Sequence, residues 1–311
     1  MQAVSLFSGC GGSDAGLARL GVDVVMANDI LSYAKDVYLA NHAETDYVLS
    51  NIKDIPSFPK VDLLVGCYPC QGFSQGGKRQ ANNSINYLYQ EFDRALRAIK
   101  PKAFVVENVS GMIRSNNKTL FDNQLTRFRL AGYRVKHKLL DAKNFGLAQT
   151  RKRVFLVGVR SDLDFEYEFP VPVYGDSKNL LDFTTLEDVI GDMNPWPEGE
   201  FYDKGFHWYY LSRNRRRNWN EQSTTIVSNE RHIGLHPISP ALKKVGIDEW
   251  KFESSKRARR YSYREAAILQ GFDKNIIFPD SGSRKQRYKV IGNAVPPPLF
   301  EAVCEPLLSL A

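Results

Sequence analysis

Short apolar runs alternate with helical patterns through the first half of the chain. Runs of four to six apolar residues indicate buried strands, and apolar residues spaced three or four apart indicate one face of a helix. The predicted strands span residues 4–7, 22–27, 61–65, 103–106 and 154–159, and the predicted helices 13–20, 33–39, 88–99 and 120–130. This order predicts an α/β fold with a doubly wound, mainly parallel sheet that binds ligands beyond the carboxyl ends of its strands.

The pattern changes in the second half. Residues 162–260 are rich in proline, aromatic and charged residues, show no sustained periodicity and contain basic clusters at 213–217 and 256–260. Helical order returns at 264–269 and in an amphipathic segment after Pro298. We therefore predict a catalytic, cofactor-binding domain (1–165), a second, smaller domain (166–284) and a C-terminal segment (285–311) that returns to the first domain.

Composition and charge narrow the class of protein. The 311 residues are 43% hydrophobic and 25% charged, which excludes wholesale disorder. No apolar run approaches the ~20 residues of a membrane span, and a strand begins almost at the first residue, so we expect a cytoplasmic protein without a targeting segment. Four cysteines fit a reducing compartment. The net charge of +7 is a mild indication of a polyanionic partner.

A glycine-rich turn, residues 7–12, joins the first strand to the first helix. Glycines allow a tight turn and close approach of the backbone to a ligand at the positive end of the helix. Asp29 ends the second strand 20 residues beyond Gly9, where it can accept hydrogen bonds from ribose hydroxyls. The spacing favours an adenosine-containing cofactor over a plain turn. It does not decide between a nicotinamide, a flavin and S-adenosylmethionine.

Cys67 and Cys70 follow the third strand and leave three interpretations open. A structural zinc site needs a second pair of ligands, and Cys10 and Cys304 are isolated in the sequence. A redox pair normally opens a helix in a far smaller domain. In the third interpretation Cys70 is a nucleophile at the carboxyl edge of the sheet, since a thiolate is the strongest side-chain nucleophile near neutral pH.

The later strands add polar groups to the same predicted edge. Glu107 and Asn108 follow the apolar run of the fourth strand, where a carboxyl group in apolar surroundings can act as a proton donor. Alternation along an extended chain directs Gln149, Arg151 and Arg153 to one face. Two guanidinium groups on one face suit an anionic or carbonyl-rich substrate, and the alternative is a solvated basic edge.

Six motifs in order resemble those of the cytosine-C5 DNA methyltransferase family, of bacterial restriction-modification type. They are Phe7-x-Gly9-x-Gly11-Gly12, Pro69-Cys70-Gln71, Glu107-Asn108-Val109, Gln149-x-Arg151-x-Arg153, Arg264-Glu265-x-x-x-Leu269-Gln270-Gly271-Phe272 and Gly292-Asn293-Ala294-Val295. The resemblance spans nearly the whole chain. It implies the S-adenosylmethionine-dependent methyltransferase fold and DNA (cytosine-5-)-methyltransferase activity on double-stranded DNA.

The resemblance also implies roles for the catalytic residues. Cys70 would add to carbon 6 of a flipped cytosine, so that carbon 5 can attack the methyl group of S-adenosylmethionine. Glu107 would hydrogen-bond or protonate ring nitrogen 3, and Arg153 would contact the cytosine carbonyl. Arg151 would steady the thiolate region and Asn108 would fix the loop.

The cofactor residues are implied in the same way. They are Phe7, Gly9, Gly11, Gly12, Asp29, Ile30, Asn51, Ile52, Pro69, Leu88, Asn293 and Ala294. The chain departs from the usual pattern at Asp29, where Glu is common, at Asn51, where Asp is common, and at Ile30, where an aromatic residue is frequent. Residues 83–85 (Asn-Ser-Ile) replace a frequent Asp-Pro-Arg, and Asp273 replaces a usual Pro. These departures bear on cofactor and DNA affinity and not on the identity of the cofactor.

The basic middle region would be the target-recognition domain, and its arginine-rich segment resembles a subgroup that includes GGCC-specific enzymes. Arginine reads guanine in the major groove, although clustered arginines more often contact phosphate. The implied DNA contacts are Gln71, Ser74, Arg213, Arg215, Arg216, Arg217 and Gln270. We expect a monomer without metal or membrane attachment, in a bacterial or phage-infected cell. A cognate restriction endonuclease, where one exists, would act separately.

Three other functions are compatible with parts of the sequence. The tRNA-methylating branch of the family shares the chemistry, and the arginine-rich segment argues against it. A catalytically silent DNA-binding protein would not need Cys70, Glu107, Arg151 and Arg153. A nicotinamide oxidoreductase would leave that set of residues unexplained.

Overall fold

The computed structural model describes residues 1–69 and 87–311. The chain divides into two compact units. The sheet unit comprises Met1–Asp141, Lys152–Val171 and Val295–Ala311, and the second unit comprises Ala142–Arg151 and Pro172–Ala294. The functional domains predicted with boundaries at 165/166 and 284/285 divide the chain differently and stay a prediction.

A seven-stranded sheet forms the centre of the sheet unit. Its strands are β1 (Gln2–Leu6), β2 (Asp23–Asp29), β3 (Asp46–Leu49), β4 (Leu63–Gly66), β5 (Ala103–Val109), β6 (Tyr133–Asp141) and β7 (Lys152–Arg160). The spatial order is β3-β2-β1-β4-β5-β7-β6. The pairings from β3 to β5 are parallel, whereas β7 runs antiparallel to both of its neighbours. The prediction of a mainly parallel α/β sheet is therefore confirmed.

Helices cover the sheet and carry its apolar core. They are α1 (Gly12–Arg19), α2 (Ser32–Asn41), α3 (Tyr89–Ile99), α4 (Lys118–Leu130) and, from the end of the chain, α8 (Pro297–Cys304). Phe92 of α3, Phe104 of β5 and Phe128 of α4 meet edge to face, with ring centroids 5.0 to 5.7 Å apart. On another helix, a Cβ at Gly16 of α1 would lie 2.7 Å from the carbonyl oxygen of Pro297, so this position accommodates only glycine without a shift.

Two strands of the sheet escaped the sequence analysis. β3 and β6 both lie at sheet edges. Along β6 the polar residues Arg134, Lys136 and Lys138 interrupt the apolar run, and charged side chains of this kind are typical of an edge strand. A search for apolar runs therefore detects the central strands and misses the edge strands.

The second unit contains short elements joined by long irregular segments. These elements are α5 (Leu186–Ile190), α6 (Tyr263–Leu269), α7 (Arg284–Asn293) and the hairpin formed by β8 (Leu242–Gly246) and β9 (Glu249–Phe252). The sequence analysis predicted most of α6 and missed both α7 and the hairpin. Among the described residues, no helix has the length and apolar character needed to cross a membrane.

Candidate active site

The glycine-rich turn lies between β1 and α1 and has an unusual backbone. Phe7, Gly9 and Gly11 have φ angles of 58°, 56° and 87°, in the left-handed region that favours glycine. A Cβ at Gly11 would lie 3.0 Å from the His42 ring. A side chain there would therefore be strained both by its φ angle and by this contact. The turn therefore presents backbone rather than side chains at the carboxyl end of β1.

Asp29 ties the glycine-rich turn to the end of β2. One carboxylate oxygen accepts a hydrogen bond from the amide of Gly9 at 3.0 Å, and the other accepts from the amides of Ile30 and Leu31 at 2.7 and 3.0 Å. From β3, the Tyr47 hydroxyl donates to the Gly9 carbonyl at 3.1 Å. The structure thus brings together the turn and the acid that the sequence spacing pointed to. Tyr47 is an anchor that the sequence analysis missed.

Ile30, Asn51 and Ile52 differ in exposure. The Ile30 side chain is 66% exposed, whereas Ile52 is buried in the apolar core. Asn51 Oδ1 accepts a hydrogen bond from the amide of Lys53 at 3.1 Å and so caps the single turn Ile52–Asp54. Arg94 of α3 donates to the carbonyls of Ile52 and Ile55 at 2.8 and 3.1 Å and holds this segment.

The segment that precedes Cys70 is fixed by two buried contacts. The Asn108 amide nitrogen donates to the Tyr68 carbonyl at 3.0 Å, and the Tyr68 hydroxyl donates to Gln124 Oε1 at 2.6 Å. Pro69 is exposed, and Leu88 lies half-buried at the start of α3. Cys70, Gln71, Ser74 and the 83–85 segment lie outside the described residues.

The remaining three cysteines have little thiolate character. Burial raises the pKa of the Cys10 thiol to about 12 and raises that of Cys304 further. Desolvation, followed by the charge of Glu107, raises the pKa of Cys67 well above its usual range. A protonated thiol is a poor nucleophile, so these three cysteines are not activated for addition chemistry.

Glu107 and Arg153 form an ion pair across β5 and β7. Arg153 Nε lies 2.9 Å from Glu107 Oε1, and both side chains are largely buried. The antiparallel register, with Glu107 opposite Phe155 and Val109 opposite Arg153, brings the two side chains together. Burial lowers the pKa of the Arg153 guanidinium, and the Glu107 carboxylate opposes that effect. The structure thus joins two of the predicted catalytic residues.

Gln149, Arg151 and Gln270 belong to one buried network in the second unit. Arg151 donates to the carbonyls of Ile226, Gly292 and Ala294 at 3.1, 3.2 and 2.9 Å. Gln149 donates to Gln270 Oε1 at 3.0 Å, and Gln270 donates in turn to the Ala294 carbonyl. Gln270 has no exposed surface, so direct contact with DNA would require its side chain to leave this network.

Within the first basic cluster, the arginines have different surroundings. Arg215 Nε donates to the Tyr210 carbonyl at 3.0 Å. Arg216 donates to the carbonyls of Ser239 and Pro237 at 2.8 and 2.9 Å. Arg213 is exposed and Arg217 is half-buried. Arg217 also donates to the neighbouring Arg216 carbonyl, at 3.3 Å. Three of the four arginines predicted to contact DNA therefore donate to backbone carbonyls of their own unit.

The second basic cluster is also used internally. Arg259 forms two hydrogen bonds with the Glu265 carboxylate at 2.7 and 2.6 Å, and Arg260 donates to carbonyls of Tyr202 and Lys204 at 3.2 and 2.9 Å. Both arginines are buried. Arg259 and Arg260 are therefore structural elements of the second unit, whereas Lys256 and Arg257 of the same cluster are exposed.

The glycine-rich turn and the end of β2 offer groups suited to an adenosine-containing ligand. A left-handed glycine turn, a carboxylate 3.0 Å from its amide and an exposed apolar side chain at Ile30 lie within one short stretch of β1 and β2. These are groups suited to a methionine backbone, a ribose and a base. Over residues 1–69 and 87–311, no three His, Cys, Asp or Glu side chains cluster in a way that could hold a metal ion.

Comparison with known proteins identifies the family. The family model for C-5 cytosine-specific DNA methylase matches residues 1–309. The chain is 36% identical to the type II methyltransferase M.BsuRI of Bacillus subtilis, covering 100% of this chain and 80% of that protein. It is 35% identical to M.NgoPII of Neisseria gonorrhoeae, covering 95% and 92%.

Solved structures agree on the fold. The S. pombe Dnmt2 methyltransferase has a TM-score of 0.73 at 17% identity and covers 99% of each chain. The Entamoeba histolytica methyltransferase EhMeth has a TM-score of 0.73 at 18% identity, covering 99% of this chain and 98% of that one. The family match over residues 1–309 and the relatives with 35–36% identity show that the chain belongs to the C-5 cytosine-specific DNA methylase family.

Proposed function

We propose that this protein is a site-specific DNA cytosine-C5 methyltransferase that uses S-adenosylmethionine and protects DNA in a bacterial restriction-modification system. The observation that carries the proposal is the family match from residue 1 to 309, which includes the Glu107–Arg153 pair at the edge of the sheet. Type II methyltransferases with 34–36% identity over the full chain support the restriction-modification role.

Cys70 is the proposed nucleophile. Its thiolate would add to carbon 6 of the flipped cytosine, which makes carbon 5 electron-rich, and it would be eliminated when the carbon 5 proton is lost. When bound, S-adenosylmethionine supplies an electrophilic methyl group. Asn108 would support the addition by fixing the Tyr68 carbonyl, two residues before Cys70.

Glu107 and Arg153 are proposed to bind the cytosine ring. Glu107 would hydrogen-bond or protonate ring nitrogen 3, and Arg153 would contact the carbonyl at position 2. Their 2.9 Å ion pair supports the proposal because it holds a carboxylate and a guanidinium side by side in a largely buried position. Charged groups that are already oriented stabilise developing charge without reorganising during the reaction.

The cofactor would be held by the glycine-rich turn and the end of β2. Phe7, Gly9, Gly11 and Gly12 would contact the methionine part, and Asp29 the ribose. Ile30, Asn51 and Ile52 would surround the adenine, with Pro69, Leu88, Asn293 and Ala294 nearer the methyl group. Arg151 is proposed to position Asn293 and Ala294, because it donates to the carbonyls on either side of Asn293.

The second unit is proposed to be the target-recognition domain. Arg213 and Arg217 are the proposed DNA contacts of the first basic cluster, whereas Arg215 and Arg216 position the segment. Gln71 and Ser74 are proposed DNA contacts from outside the described residues. A GGCC-like site, a monomeric state, a cytoplasmic location and a separate cognate endonuclease complete the proposal.

The mechanism can be tested by trapping on duplex DNA that carries 5-fluorocytosine. Fluorine at carbon 5 cannot leave as a proton, so the wild-type protein should form a covalent adduct in the presence of S-adenosylmethionine. Cys70→Ala should form none, and the matched control Cys67→Ala should still form it because the Cys67 thiol is protonated near neutral pH. An adduct with Cys70→Ala, or none with the wild-type protein, would contradict the mechanism.

The substrate and the site can be tested by bisulfite sequencing of DNA from cells that express the protein. Methylated cytosines should occur at one short sequence, with GGCC as the expected site. Parallel assays on duplex DNA and on tRNA separate the DNA enzyme from the tRNA-methylating branch. Methyl transfer to tRNA alone would contradict the proposal.

A further inference from the structure

Three consecutive aromatic residues lie exposed on the second unit. His207, Trp208 and Tyr209 precede a short turn, and the Trp208 indole is 80% exposed. The Tyr209 ring lies 5.7 Å from that of Trp208 and 5.2 Å from that of His232, and the Arg213 guanidinium lies 6.0 Å from the Tyr209 ring centre. We call these five residues the aromatic-cation patch.

The backbone beneath the patch is well anchored. Tyr210, the next residue, is fully buried beside Leu235 and Leu242, and its hydroxyl donates to the Ile233 carbonyl at 2.9 Å. The amide of Tyr210 donates to the His207 carbonyl, also at 2.9 Å. The turn Tyr210–Ser212 therefore buries one ring and leaves the three preceding rings at the surface. Exposure of the indole follows from this geometry.

The patch is electropositive. In the part of the chain that the structure describes, Arg213 forms no ion pair with a carboxylate. Burial lowers the pKa of His232, and the charges of Arg215 and His207 lower it further. Arg213 likewise contributes to the lowered pKa of Arg215, after burial. The positive charges of Arg213 and Arg215 thus act on one another beside the exposed rings.

An exposed ring beside an uncompensated guanidinium suits a nucleic acid. Bases stack on aromatic side chains whatever their sequence, and guanidinium groups bind phosphate. We propose that the aromatic-cation patch is a DNA-contacting surface in which the Trp208 indole packs against a base and Arg213 binds a neighbouring phosphate. This inference rests on the proposed function, and it adds a contact that none of the six sequence motifs includes.

The indole provides its own readout. The protein would be titrated with a 24-base-pair duplex that carries GGCC while tryptophan fluorescence is recorded, with the three other tryptophans as background. Stacking should quench the wild-type emission, and Trp208→Phe should lose that part of the quenching. Trp208→Ala should bind the duplex about fivefold or more weakly. Arg213→Gln should lower the slope of log affinity against log salt by about one.

Ile247 provides the matched control. It is the most exposed apolar side chain of the same unit, at the tip of the β8–β9 hairpin, so Ile247→Ala should bind and quench as the wild-type protein does. Quenching that persists in Trp208→Phe, or affinity of Trp208→Ala within twofold of wild type, would overturn the proposal. Quenching by single-stranded DNA and not by the duplex would overturn it too.

The titration distinguishes failure of the patch from failure of the proposed function. If the wild-type protein leaves methylated cytosine in expressing cells but Trp208→Phe quenches normally, only the patch is wrong. If Trp208 is quenched by the duplex but no covalent adduct forms with 5-fluorocytosine DNA, the patch stands and the mechanism is wrong. If the wild-type protein binds no duplex at low salt, both fail.

Discussion

The sheet unit and the second unit bury their largest side chains in opposite ways. In the sheet unit the fully buried large residues are mainly aromatic, with Phe92, Phe104 and Phe128 packed edge to face. In the second unit they include Arg151, Arg259 and Arg260, whose guanidinium groups donate mostly to backbone carbonyls. One unit is held together chiefly by apolar packing, and the other depends heavily on hydrogen bonds from arginine.

The helices of the two units also differ in how far they depend on polar contacts. α5, α6 and α7 of the second unit each begin with a reciprocal capping box, at Thr185, Ser262 and Ser283. α1, α2, α3, α4 and α8 of the sheet unit begin without a side-chain cap. Helices that pack on a sheet gain most of their stability from that packing, whereas short helices among loops need local polar contacts.

The difference has a simple cause. A sheet satisfies its own carbonyls, whereas irregular segments leave carbonyls that need donors when they are buried. Arginine carries five N–H donors in a fixed planar arrangement and can satisfy several carbonyls at once. A cluster of arginines in the sequence is therefore not by itself a DNA-binding surface.

The buried pair of Arg259 and Glu265 gives the largest expected effect. Arg259→Met should lower the free energy of unfolding by about 3–5 kcal/mol, since it leaves the Glu265 carboxylate buried without its guanidinium. The matched change in the sheet unit is Arg97→Met, which removes an exposed partner of Asp93 and leaves Arg127 in place. It should cost less than about 1 kcal/mol. Urea unfolding of both variants measures the two losses of stability. Equal losses of unfolding free energy would contradict the comparison between the units.

A pH dependence should come from His236, which lies against the same pair. Burial, followed by the charge of Arg259, lowers its pKa to about 3 from 6.5. The unfolded chain therefore binds a proton below pH 6.5 that the folded chain does not bind until about pH 3. Stability is lost as the pH falls through that window, by about 2 kcal/mol at pH 5 relative to pH 7.

His236→Gln isolates that contribution. Urea unfolding of the wild-type protein and of the variant at pH 7 and pH 5 should show a smaller loss for the variant, by about 2 kcal/mol. His137→Gln in the sheet unit is a useful control, because His137 is an exposed histidine of β6 that lies away from the Arg259–Glu265 pair in sequence and in unit. An identical pH dependence in His236→Gln and wild type would show that His236 does not titrate between the two states.

The sequence predicted those elements of the fold whose positions depend on the periodicity of apolar residues. The central strands, α1 to α4 and the position of the glycine-rich turn follow from runs of buried residues, because a parallel sheet is covered on both faces. α7 was missed because Arg284–Asn293 is mostly polar and depends on its capping box and on Gly292, where a Cβ would lie 2.3 Å from the amide of Ser228. Close contacts of this kind do not appear in a hydrophobic pattern.

In the candidate site, too, some contacts were predicted from the sequence and others were missed. The adjacency of Asp29 and Gly9 was predicted, since both lie at the carboxyl ends of neighbouring parallel strands. Tyr47 and Gln124 were missed, because their partners, the Gly9 carbonyl and the Tyr68 hydroxyl, are 38 and 56 residues away in sequence. The basic clusters were correctly located but their internal use was not foreseen, because composition does not reveal which carbonyls a guanidinium will reach.

Two tyrosines test whether the contrast concerns arginine or polar contacts in general. The Tyr68 hydroxyl in the sheet unit donates to Gln124, and the Tyr210 hydroxyl in the second unit donates to Ile233, both in buried positions. Tyr68→Phe and Tyr210→Phe should each cost about 1–2 kcal/mol, because each leaves one buried acceptor without its donor. Thermal unfolding of the pair would measure this. A much larger cost at Tyr210 would extend the contrast to all polar contacts of the second unit.

The smallest effect is expected at the helix caps. Ser283 accepts a hydrogen bond from the amide of Gln286 and donates to the Gln286 side chain, so Ser283→Ala should cost about 1 kcal/mol. Ser32 begins α2 in the sheet unit without capping it, and Ser32→Ala should change stability by less than about 0.5 kcal/mol. Both serines are substituted identically, so the difference between their unfolding midpoints in urea reports the cap alone. If Ser32→Ala proved as costly as Ser283→Ala, packing on the sheet would not be sufficient to begin a helix in this chain.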